Sequence, residues 1–97
     1  MLHMQNFTEF IATFQHIDET QGYEASEQYI NQNIQQIKAI TDPNILAEFL
    51  NFLSEITGEG EAYERLCDLL TYFQNNHMIT QQQAQQYITH SPCNRWL

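Results

Sequence analysis

Carboxylates dominate the chemistry that this sequence offers. The segment 58-GEGEAYERLCDLLTYF-73 places Glu59, Glu61, Glu64 and Asp68 within ten residues, with Arg65 the sole base among them. Two carboxyl groups do acid–base work when a pocket holds them and pushes their pKa values apart. A helix face in water always offers carboxylate pairs, so the pairs here carry no such signal by themselves. The other reactive side chains are scattered. His3, His16, His77 and His90 form no H-x-x-x-H or H-E-x-x-H pair, and Cys67 and Cys93 are not spaced as a zinc or redox motif. No metal site is expected. Gly58 and Gly60 flank acids that repel phosphate, and no nucleophile elbow occurs. Cys67 with His77 is the one imaginable nucleophile and base. Cys67, however, is expected on an apolar helix face, and reactive thiols need exposure and positive surroundings. The expectation is a protein without catalytic residues and without a cofactor.

The elements that must position these groups read as helices throughout. Phe7, Phe10, Ile11, Phe14 and Ile17 recur on one helical face, and Asn6 with Glu9 can form a capping box, giving a first helix of about residues 7–18. After 18-DETQG-22 a longer second helix carries Tyr23, Ile30, Ile34, Ile37 and Ile40 on one stripe, and it stops at 41-TDP-43. Asp42 is a good N-cap there and Pro43 suits the first turn of the next helix. Leu46, Phe49, Leu50, Leu53 and Ile56 form the third stripe, ended by Gly58. The fourth helix spans about 60–75 with Tyr63, Leu66, Cys67, Leu70 and Phe73 as its core face. Thr80 with Gln83 can cap a short fifth helix with Ala84, Tyr87 and Ile88 as apolar positions, and 91-SPCNRWL-97 reads as a tail. No run alternates as a strand does. The fold expected is all-α: one compact domain over residues 1–97, a bundle of four main helices plus a short fifth.

Composition bounds the partners. Three bases against twelve acids give a formal charge of −9. Such a chain is repelled by nucleic-acid phosphates and anionic membranes and attracted to basic protein surfaces. Direct nucleic-acid binding and membrane binding are therefore not expected. No apolar run approaches the roughly 20 residues that span a bilayer, and the first residues lack a signal-peptide pattern, so the expected location is cytoplasmic.

On the fourth helix, Glu61, Glu64, Arg65, Asp68 and Tyr72 fall on one stripe opposite the apolar one. Glu59, Glu61 and Glu64 lie near the helix start, where the macrodipole favours negative charge by about 0.3–1 kcal/mol each. Glu61 and Arg65 form a favourable i,i+4 pair, whereas Glu64 and Asp68 are like charges at that spacing. Asp68 and Tyr72 have no such local explanation. An aromatic within a charged patch is the kind of residue that carries binding energy, because Tyr buries much area at little entropic cost. Glu55, on the third helix with Glu48, extends the patch if helices three and four pack antiparallel. The expected partner-binding set is thus Glu55, Glu59, Glu61, Glu64, Asp68 and Tyr72.

The same segment carries a family resemblance. Gly58-Glu59, then Ala62-Tyr63-Glu64-Arg65-Leu66-Cys67, then Leu69-Leu70 and Ile79-Thr80 resemble the MafI-type immunity proteins, small acidic helical proteins that protect bacteria from polymorphic or contact-dependent toxins. The likeness covers about residues 46–88, and the Gly-Glu to Ala spacing is one residue shorter than the family pattern. It implies an immunity or antitoxin protein that neutralises a basic, nuclease-type toxin domain by binding it. Two other readings stay open. One is a phage-encoded mimic of nucleic acid that inhibits a host defence complex, as anti-CRISPR and anti-restriction proteins do. The other is a helical adaptor or homodimer, with Phe52 and Leu69 as candidate dimer contacts.

Overall fold

The computed structural model describes residues 7–57 and 60–92, and every regular element among them is helical. Six helices follow in order: α1 (Phe7–Gln21), α2 (Tyr23–Gln32), α3 (Ile34–Lys38), α4 (Pro43–Ile56), α5 (Glu61–Asn75) and α6 (Gln81–His90). The class is all-α. Internal contacts divide the chain into two units, one running to Ile45 and the other from Leu46.

In the first unit, α1 buries Phe10 and Phe14, and the Phe10 ring stacks on Tyr29 of α2 with centroids 5.2 Å apart. α1 runs past its last apolar residue to Gln21, because the backbone ladder continues into Gly22, whose N–H reaches the Asp18 carbonyl at 3.1 Å. Gly22 then turns the chain with φ 95° and ψ 179°, a region that a Cβ atom makes costly even though open space surrounds the position. Asp18 also serves the next helix. The buried Ser26 Oγ lies 3.0 Å from Asp18 Oδ1 and 2.8 Å from the Tyr23 carbonyl, and its single proton is shared between those two acceptors. The Asn6 cap expected for α1 lies outside the described residues.

The long second helix expected from the sequence is two helices, α2 and α3, interrupted at Asn33 (φ −107°, ψ 12°). A side chain accompanies the break. Asn33 Nδ2 donates to the Tyr29 carbonyl at 2.7 Å, the acceptor that an unbroken α-helix gives to the Asn33 N–H. That N–H turns instead to Ile30, one residue nearer, and the ladder resumes when Ile37 N–H reaches the Asn33 carbonyl. The buried stripe differs accordingly. It is Ser26, Ile30, Asn33, Ile37 and Ile40, a 4-3-4-3 spacing in which two members are polar. Tyr23, expected on this stripe, is 61% exposed. Ile34 is half-buried.

The entry to α4, at the end of the first unit, follows the sequence signals: Asp42 Oδ1 accepts from the Asn44 N–H at 2.8 Å and the Ile45 N–H at 3.4 Å, with Pro43 in the first turn. The second unit takes up the rest of the helix. Leu46, Phe49, Leu50 and Leu53 are buried, each 0–1% exposed. Near the end of α4, Ser54 Oγ donates to the Tyr87 carbonyl of α6, and Ser91 Oγ donates to the Thr57 carbonyl at 3.2 Å. These buried hydroxyls fasten the C-terminal ends of α4 and α6 together. Gly58, expected to cap α4, is outside the described residues.

α5 ends in a Schellman motif. Met78 N–H reaches the Phe73 carbonyl at 2.9 Å and His77 N–H reaches that of Gln74 at 3.1 Å, which puts His77 at φ 61° in the left-handed position usually held by glycine. The chain then re-enters a helix at Thr80, whose side chain and that of Gln83 form the reciprocal capping box expected from the sequence.

Candidate functional site

α5 begins at Gly60 (φ 80°), which offers no side-chain cap, so its first turn depends on Glu61 and Glu64 to complement the free N–H groups. Its buried face is Ala62, Leu66, Leu69, Leu70 and Phe73. That face lies to one side of the stripe expected from the sequence. Leu69 is 1% exposed and belongs to the core, so it is not available as the dimer contact expected of it. Tyr63 and Cys67, expected inside, are half-buried along one flank of the face. Phe52 of α4, the other expected dimer contact, is half-buried as well.

The turn of the helix changes the acidic face too. Glu61, Glu64 and Asp68 are exposed, and Thr71 joins them at the centre of the exposed surface. Tyr72 and Arg65 stand at its edge, half-buried. The Tyr72 ring meets the fully buried Phe73 ring edge-on, with centroids 5.2 Å apart and planes at 81°. Tyr72 is therefore a partly seated aromatic beside the acids and not a free anchor at their centre. The expected Glu61–Arg65 pair does not form: Glu61, Glu64 and Asp68 make no side-chain hydrogen bond or ion pair among the described residues.

Glu55 has a different setting. Its Oε1 lies 3.5 Å from His90 Nε2 at the end of α6, and 3.4 Å from Asn51 Nδ2 one turn earlier on α4. Both ring and carboxylate are about half exposed, 51% and 55%, so the pair contributes at most about 1 kcal/mol. Glu55 thus marks the α4–α6 seam, and it makes no hydrogen bond or ion pair with the acids of α5 among the described residues. Glu48 is exposed on α4. Glu59 lies outside the described residues.

One feature was not read from the sequence. The outer face of α6 carries a recess of about 520 Å³ lined by Gln82, Gln85, Gln86, Thr89 and His90. Its signal is the 3-4 spacing of those polar residues, which a reading centred on apolar positions passes over. Among the described residues the lining offers amide, hydroxyl and imidazole groups and no carboxylate. On the same helix Tyr87 is half-buried, and desolvation pushes its phenol above the usual tyrosine range. Among the described residues no group of three or more His, Cys, Asp or Glu is arranged to hold a metal ion. No helix there is long and apolar enough to cross a membrane.

Compared with known protein families, with characterised proteins and with solved structures, the chain shows no significant match.

Proposed function

We propose that this protein is a non-catalytic inhibitor that neutralises a basic protein, most simply as an immunity or antitoxin protein bound to a nuclease-type toxin domain through α5. One observation carries the reading. Glu64 and Asp68 stand one turn apart on an exposed face, repel each other at i,i+4 spacing, and have no side-chain partner among the described residues. Placing carboxylates this way costs the isolated helix a little, and a basic partner reverses that cost. The formal charge of −9 adds long-range attraction, which raises association rates toward about 10⁸–10⁹ M⁻¹s⁻¹ at low salt. Tyr72, seated against Phe73 at the rim of the acids, supplies pre-ordered apolar area. Such inhibition proceeds by occupancy and calls for no cofactor. The likeness of residues 46–88 to MafI-type immunity proteins supports the choice of a toxin as partner.

The test is the combined replacement Glu64→Lys, Asp68→Lys and Tyr72→Ala, titrated against the protein encoded by the neighbouring gene. Binding should weaken at least about 100-fold, through a slower on-rate and a flatter salt dependence, while circular dichroism still reports the helical fold. A folded variant that binds as tightly as the parent would sink the reading. Competition by DNA or RNA for the same partner would move it toward a nucleic-acid mimic.

A further inference from the structure

We draw no further inference here: the strongest candidate, the acidic surface of Asp18, Glu19, Glu24 and Glu27 around the exposed Tyr23 ring at the α1–α2 junction, is a carboxylate cluster at a helix start, and nothing in the structure shows what covers it.

Discussion

Among the described residues two acidic surfaces each hold a tyrosine, and they differ in what the acids are already doing. At the α1–α2 junction Asp18 receives the Ser26 hydroxyl, Tyr23 Oη donates to Glu27 Oε1 at 3.3 Å, and Glu24 complements the first turn of α2. On α5, Glu64 also sits in a first turn, but Asp68 lies beyond it and neither carboxylate has a side-chain partner among the described residues. The tyrosines are reversed. Tyr23 projects into solvent, whereas Tyr72 leans on the core. Composition alone makes these surfaces equivalent. What separates them, among the described residues, is that Asp18 and Glu27 hold hydrogen bonds at the first, where Glu19 alone stands without a partner or a first-turn role, whereas the second pairs an unpartnered Asp68 with Glu64 at i,i+4 beside a seated tyrosine.

The contrast can be broken most forcefully from beneath. Phe73 is fully buried under Tyr72, so Phe73→Ala should cost about 3–5 kcal/mol in urea unfolding and release the tyrosine ring from its seat. A loss below about 1 kcal/mol would mean that Tyr72 is not held as described. Next in size is partner binding. The α5 triple replacement should cost at least about 100-fold in Kd, or about 2.7 kcal/mol, while Tyr23→Ala with Glu24→Lys should leave Kd within about threefold. Equal losses from both variants would remove the distinction between the surfaces.

Two smaller effects sharpen the comparison. Asp18→Ala should destabilise by about 0.5–1.5 kcal/mol through its hydrogen bond to buried Ser26, whereas Asp68→Ala should be neutral or stabilise by about 0.2–0.5 kcal/mol by relieving Glu64. Chemical denaturation of the two single variants side by side gives the sign directly. Finally, His77→Gly should raise stability by about 0.5–1 kcal/mol, since a Cβ in the left-handed region is strained. A drop in thermal midpoint on that change would show that the His77 side chain offsets its backbone cost.

Much of the fold was legible because the signals were local. Asp42-Pro43 and the Thr80/Gln83 box name their helix starts with atoms two or three residues apart, and no neighbouring element is needed to read them. The break at Asn33 was illegible for the opposite reason. An asparagine amid isoleucines reads as an outward-facing residue, and only the folded chain shows it 7% exposed with its amide on the Tyr29 carbonyl. The candidate site suffered a milder version of this error. Counting Cys67 as core and Leu69 as rim rotated α5 slightly, which moved Tyr72 to the centre of the acids and hid Thr71. Glu61, Glu64 and Asp68 stay exposed under that rotation because the exposed arc is wide. The pairing of Glu55 with His90 was not legible, since it depends on a contact 35 residues distant in the chain.

The two hydroxyl bonds between the ends of α4 and α6 have a kinetic consequence. They connect residues 33 and 34 positions apart, so all of α5 lies within the loop they close. Bringing such ends together costs about 3 kcal/mol in chain entropy, a cost met only after α5 has formed and shortened the path between them. The seam should therefore be the last part of this unit to assemble and the first to open. Amide exchange at Ser54, Thr57 and Ser91 should reveal that opening as one cooperative event, while the amides of Leu66 to Phe73 exchange more slowly.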